Sequence, residues 1–144
     1  NPFTIGHKKL LSNNNNLNCL FVIDGEKTGL DKNKNPLTVT ERIDYINSLK
    51  IDNLKVYYAS NIIEVIDICE ILNFTIENVI CGEDRTQTYS KIFTHSNILT
   101  YDRNDGISAT KIRRFVAEDN FEEFDKLMPG NNLKIFDLLK SKLE

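Results

Sequence analysis

Two short segments carry residue types that together could hold a phosphate-rich ligand. The first is Thr4-Ile5-Gly6-His7. It falls where a strand would turn into a helix. Gly6 lets the backbone come close to a ligand. His7 lies in the first helical turn, where amide donors and the helix dipole favour an anion. The second runs from Arg103 through Asn104-Asp105-Gly106-Ile107-Ser108-Ala109-Thr110-Lys111-Ile112-Arg113 to Arg114. Here a strand ends, Gly106 turns the chain, and Ser108 is placed to cap a helix. Thr110, Lys111 and Arg113 fall within the first two turns of that helix. Cations at a helix N-terminus oppose its dipole, so their presence makes sense if a polyanion balances them. Weaker candidates surround these two segments. Lys27 and Lys34 lie on a long loop over 25–37, and Arg85 could hold a phosphate. Asp84 is placed to orient Arg85 or cap the turn after it, and His95 reads as a structural residue in a turn.

These residues need elements to position them. Apolar runs at 17–24, 54–59, 77–81 and 97–101 read as buried strands. Helical patterns lie between them. Thr38-x-x-Glu41 is a capping box after Pro36, with Ile43, Ile46 and Leu49 behind it. Asn61 is placed to cap a helix whose inner face is Ile62, Ile63, Ile66 and Leu72. Asp119-x-x-Glu122 predicts the opening of a short acidic helix that stops before Pro129. Asn131 or Asn132 starts a last helix, with Leu133, Phe136, Leu139 and Leu143 inward. Strands alternating with helices at βαβ spacing imply a mainly parallel sheet in an α/β fold. Right-handed crossovers make that sheet doubly wound, with ligands bound outside the carboxyl ends of the strands. The loops to watch are therefore 1–7, 24–37, 60–61, 82–88 and 102–108. Asn13 to Asn16 read as a solvated turn after the first helix.

The 144 residues are read as a single domain over 1–144. The 18 basic and 21 acidic residues leave a net charge of −3, so no basic excess recommends nucleic acid as the main partner. No apolar run approaches the ~18 residues of a membrane span. Cys19, Cys69 and Cys81 are odd in number and lack Cys-x-x-Cys spacing, which reads as reduced thiols in a cytoplasmic protein. With only His7 and His95 as histidines, no Cys/His cluster has zinc spacing and no protein metal site is expected. The chain opens Asn1-Pro2-Phe3-Thr4, with no Met and no charged-then-apolar leader. The expectation is an N-terminal truncation that removed a first strand upstream of Asn1.

Taken together, Thr4-x-Gly6-His7 and Ile107-Ser108-x-Thr110-x-Ile112-Arg113 resemble the nucleotidyltransferase superfamily with (H/T)-x-G-H and I-S-x-T-x-[IV]-R motifs, a Rossmann-like fold. Lys34-Asn35-Pro36-Leu37-Thr38 leading to Glu41-Arg42 looks like that family's segment before its second helix. Gly82-Glu83-Asp84-Arg85 is similar to the G-x-D-R of small phage-type members. Pro2 and Thr4 match the family's Pro and Thr after its first strand, which ends in Gly-[Arg/Ser]-Phe. The resemblance implies an enzyme that transfers a nucleoside monophosphate from an NTP to a phosphorylated small-molecule acceptor, releasing pyrophosphate. His7, Thr4, Lys111 and Arg113 would be catalytic. Phe3, Gly6, His7, Gly106, Ile107, Ser108, Thr110 and Arg113 would bind nucleotide. Lys34, Asp84 and Arg85 would bind the acceptor. Mg²⁺ would be held mainly through the nucleotide phosphates. Arg113 is nearer to nicotinamide-mononucleotide adenylyltransferases, which favours ATP and AMP transfer. The segment Arg103-x-x-Gly106-Ile107-Ser108 looks like glycerol-3-phosphate cytidylyltransferases, with Asn104 and Ala109 substituted, which leaves CTP and a sugar or polyol phosphate as the alternative. Thr4 is shared with pantetheine-phosphate adenylyltransferases, whose I-S-S-S ending differs. Members are often oligomers, so a homo-oligomer is expected. A non-catalytic nucleotide-binding module of a larger protein or virion is the alternative of another class.

Overall fold

The computed structural model describes residues 3–12, 17–25, 29–30, 34–101 and 109–143. The loop 102–108, the run Asn13 to Asn16, and Pro2, Lys27 and Lys32 lie outside the described residues, and with them Gly106, Ile107 and Ser108. In chain order the elements are α1 (Ile5–Ser12), β1 (Asn18–Ile23), α2 (Val39–Ser48), β2 (Leu54–Ala59), α3 (Ile62–Ile71) and β3 (Asn78–Gly82). A single 3-10 turn, Glu83–Arg85, leads into α4 (Thr86–Ile92), followed by β4 (Asn97–Tyr101), α5 (Ala109–Ala117), α6 (Phe121–Leu127) and α7 (Leu133–Leu143). The fold is mixed α/β. The described strands form two parallel pairs, β1 with β2 and β3 with β4. Tertiary contacts divide the chain into two compact units, Asn1–Ser60 with Ile107–Glu144, and Asn61–Gly106.

The first unit holds the main core. Asn18 to Ile23 pair in register with Leu54 to Ala59. Alternation along the strands turns Leu20, Val22, Leu54 and Val56 toward one apolar cluster. On the opposite face Phe21 and Tyr57, directly paired, stack at 5.4 Å. The cluster also takes in Phe3, Leu37, Tyr45, Ile46, Ile112, Phe115 and Val116. Phe124, fully buried, meets Phe136 edge-on at 5.1 Å. Two polar residues are buried among the described residues, Thr4 and Asn132. Asn132 is 2% exposed, yet all its groups are used. Its Oδ1 accepts from Tyr45 Oη at 3.0 Å and from the Gly130 N–H at 3.2 Å. Its Nδ2 donates to Asp125 Oδ1 at 2.7 Å and to the Met128 carbonyl. A buried amide satisfied this fully fixes α2 and the 129–131 turn against α6 and α7, where an orphaned one would cost about 1–3 kcal/mol.

The expected capping box at α2 forms. The Glu41 N–H donates to Thr38 Oγ1 at 3.2 Å, and the Thr38 N–H donates to Glu41 Oε1 at 2.9 Å. Glu41 also pairs with Lys142 at 3.0 Å, joining the start of α2 to the end of α7. Burial pushes the Glu41 carboxyl up, but the Thr38 N–H, the Lys142 ammonium and the Thr38 hydroxyl outweigh it and hold it below the ordinary 4.5. A carboxyl depressed on folding adds stability above its unfolded value and loses it as the pH falls through the folded one. The melting temperature should therefore fall with acid from about pH 4.5 downward. Glu41→Gln, which keeps the capping geometry, should flatten that limb. An unchanged acid limb in Glu41→Gln, read by thermal melts across pH, would show that the carboxylate plays no such part.

Several helix boundaries and faces differ from expectation. Asp119 does not open α6. It stands at φ +57° as the left-handed residue that ends α5. The Asn120 N–H reaches the Phe115 carbonyl at 2.8 Å and the Asp119 N–H reaches that of Val116 at 3.1 Å, a Schellman ending. Asn120 is the real cap, accepting from the Glu123 N–H. α7 follows Asn132 as expected, but its inward residues are Ile135, Phe136 and Leu139, while Leu133 is exposed. In the first turn a residue one position off the stripe points outward, and the apolar count alone does not reveal this.

The second unit is smaller. Asn61 caps α3 as expected, accepting from the Glu64 N–H at 3.0 Å. The buried residues of α3 are Val65 and Cys69, however, and Ile63 and Leu72 are exposed. The helix carries an acidic face, Glu64, Asp67 and Glu70, and the buried pair lies opposite it; a stripe picked by isoleucine alone overlooks that face. β3 begins one residue later than expected and runs to Gly82. α4 was not anticipated, since Thr86-Gln87-Thr88-Tyr89-Ser90 carries little apolar period. Cys19, Cys69 and Cys81 form no disulfide with one another, and burial pushes the Cys19 thiol up against the opposing charge of Lys55. Among the described residues no helix is long and apolar enough to cross a membrane.

Candidate functional site

α1 starts at a cap that the sequence already contained. Thr4 sits before Ile5–Ser12, and the first helical bond runs from the Lys8 N–H to the Thr4 carbonyl at 3.1 Å. The His7 N–H points at Thr4 Oγ1 across a long 3.5 Å. In return the Thr4 N–H donates to His7 Nδ1 at 2.9 Å. This is the reciprocal arrangement of a capping box, with histidine in the place usually held by Glu or Gln. The spacing Thr4-x-x-His7 matches Thr38-x-x-Glu41, a signal that could have been read from the sequence. The Phe3 ring stacks on the imidazole at 5.4 Å and 25°. Phe3 and Thr4 are buried, 8% and 4% exposed, so His7 is held by fixed neighbours.

α5 presents Thr110, Lys111 and Arg113 in its first two turns, as expected. Ile112 between them is fully buried and shares the core cluster with Phe3 and Leu37. That cluster anchors both candidate segments in one unit. Arg113 Nη2 lies 3.3 Å from Thr110 Oγ1, and Nη1 lies 3.4 Å from the Lys34 carbonyl. Lys34 is thus joined by its backbone to the cation expected to clamp phosphates. Lys111 runs along the helix, its ammonium 6.0 Å from the Phe115 ring centroid, with the Arg114 guanidinium 5.5 Å from the same ring. Arg42, on α2 just behind Leu37 and Thr38, was not singled out from the sequence. Burial pushes its guanidinium below the ordinary value, and no carboxylate among the described residues pairs with it.

Asp84 and Arg85 belong to the second unit, in the 3-10 turn that follows β3. Asp84 Oδ2 lies 3.9 Å from Arg85 Nε, and both side chains are exposed. The role of orienting Arg85 is within that geometry. The expected nucleotide contacts Gly106, Ile107 and Ser108 lie outside the described residues. Gly6 is inside α1, at its second residue.

The donor set in the first unit is a backbone-fixed imidazole, hydroxyls, an ammonium and guanidinium groups. The ammonium and guanidinium groups can only donate, and all of these groups can bond phosphate oxygens. Among the described residues no group of three or more His, Cys, Asp or Glu side chains is placed to hold a metal ion. A groove of about 950 Å³ lies between α2, the 129–131 turn and α7. It is lined by Tyr45, Leu49, Gly130 and Leu138 among others, and by none of the candidate residues. No family model matches this chain, and a search of curated proteins finds no match to it.

Proposed function

We propose that this chain is a nucleotidyltransferase domain, moving a nucleoside monophosphate from an NTP to a phosphorylated small-molecule acceptor with loss of pyrophosphate. The observation that supports this reading is the presence, in one compact unit, of both the clamped His7 and the cationic start of α5. An acceptor phosphate is already a nucleophile, so the protein has to position and to stabilise charge rather than supply a nucleophile. His7 would donate to the α-phosphoryl group as charge develops, and Thr4 would hold the ring. Lys111 and Arg113 would bind the outer phosphates, with Thr110 adding a hydroxyl. Lys34 is the acceptor-side cation of the same unit. The acceptor roles of Asp84 and Arg85 rest on the resemblance alone. Mg²⁺ would be carried in by the nucleotide phosphates and would neutralise their charge. A doubly wound sheet belongs to the same proposal. Parallel sheets occur buried on both faces, and two strands alone are marginal, so each pair is better read as part of something larger.

AMP transfer from ATP is the favoured form, with nicotinamide mononucleotide among the acceptors, and CMP transfer to a sugar or polyol phosphate is the alternative. A second reading, a nucleotide-binding module without turnover, is favoured by one specific observation. The capping box gives Thr4 and His7 a structural reason to be present. Pyrophosphate release separates the two. The protein with Mg²⁺, ATP or CTP, and a panel of phosphomonoesters should release pyrophosphate with at least one pair. Nucleotide binding without release from any pair would favour the second reading.

A further inference from the structure

A backbone amide can only donate, and at Thr4 it donates to the ring of His7. Thr4 N lies 2.9 Å from His7 Nδ1. That nitrogen must therefore present a lone pair, which leaves the ring proton of the neutral imidazole on Nε2. Thr4 Oγ1 stands 3.1 Å from the same Nδ1, and the stacked Phe3 ring fixes the plane. Both residues that hold the imidazole are buried. We propose that Thr4 is the positioning residue that locks His7 as its neutral Nε2–H tautomer, so that His7 acts as a hydrogen-bond donor and is barred from acting as a base through Nδ1.

The lock commits one nitrogen to the helix cap and leaves the other with the proton. For its ligand, a phosphoryl oxygen, this assignment rests on the nucleotidyl-transfer reading; the tautomer stands independently of it. The chemistry needs no base. An oxygen of the acceptor phosphate, already anionic, forms the new bond to the α-phosphorus. The bond from that phosphorus to the bridging oxygen breaks, and pyrophosphate leaves with the electron pair. The proton stays on Nε2 throughout, shared with the oxygen on which charge accumulates. If Nδ1 of His7 were protonated instead, the ring could not accept the Thr4 N–H and the cap would open.

The test is ¹⁵N NMR on the ligand-free protein. There are two histidines, and a His95→Asn variant assigns their ring signals. His7 should give the long-range ¹H–¹⁵N pattern of the Nε2–H tautomer. A ¹⁵N–¹⁵N coupling across the hydrogen bond should link the Thr4 amide to His7 Nδ1. Thr4→Ala should retain both signals, because the donor is backbone. A ring proton on Nδ1, or absence of the coupling in the wild-type protein, overturns the proposal. Loss of both signals in folded Thr4→Ala overturns it too, by making the hydroxyl the lock. Coupling without any nucleotide turnover leaves the tautomer standing and sinks the function; turnover with an Nδ1–H ring does the reverse.

Discussion

His7→Glu is expected to fold as well as the wild type and to lose most of its turnover. Glutamate is the usual capping-box partner of an N-cap threonine, so its carboxylate can accept the Thr4 N–H as Nδ1 does now. It has no proton to offer a phosphoryl oxygen and adds a negative charge beside one. Loss of a single donor to developing charge costs roughly 10²–10³ in rate. His7→Ala should lose turnover to a similar extent and also melt earlier, because the cap goes with the ring; a lost cap costs about 1 kcal/mol. The two variants thus separate the structural duty of His7 from the chemical one. Turnover of His7→Glu within threefold of wild type would mean that the residue serves the helix alone.

Arg113→Ala should weaken NTP binding by roughly ten- to hundredfold while changing NMP binding much less, since a charge-assisted contact is worth about 1.5–3 kcal/mol. In the ligand-free protein the guanidinium contacts neutral oxygens at 3.3 and 3.4 Å. A phosphate oxygen is a charged acceptor and bonds a guanidinium more strongly than either of these neutral ones. Lys111→Ala should follow the same pattern with a smaller loss, because an ammonium meets phosphate as a point charge without the two-pronged fit of a guanidinium. Calorimetry with NTP and NMP on each variant reads this directly. Equal losses for both nucleotides would move Arg113 away from the outer phosphates and toward a purely local role between Thr110 and Lys34.

Local signals in the sequence were legible where side chain and backbone act within a few residues. The Thr38 box, the Asn61 cap, the β2 and β4 spans and the start of α7 all follow from such short-range chemistry. What failed depended on neighbours far along the chain. The exception is α3, where the buried Val65 and Cys69 lie opposite the acidic Glu64, Asp67 and Glu70, a polar face that the isoleucines alone do not report. Asp119 has the side chain of a cap, but its backbone is claimed by the Schellman ending of α5. Asn132 looked like a boundary residue and is a buried hub, because Tyr45, eighty-seven positions away, supplies a hydroxyl. At the candidate site the residue types of Thr4, His7, Thr110 and Arg113 were legible. Their ties to each other and to the Lys34 carbonyl were not, apart from the Thr4-x-x-His7 spacing.

Nucleotidyl transfer breaks the bond between the α-phosphorus and the oxygen that bridges it to the β-phosphorus. Two labelled forms of one nucleotide test it most directly, incubated with the protein, Mg²⁺ and an acceptor phosphomonoester. Label in the α-phosphorus should move into a new product that forms only when the acceptor is present, and label in the γ-phosphorus should appear in pyrophosphate. Label from the γ-position recovered on the acceptor, or as inorganic phosphate with the α-label left in nucleoside diphosphate, would contradict nucleotidyl transfer.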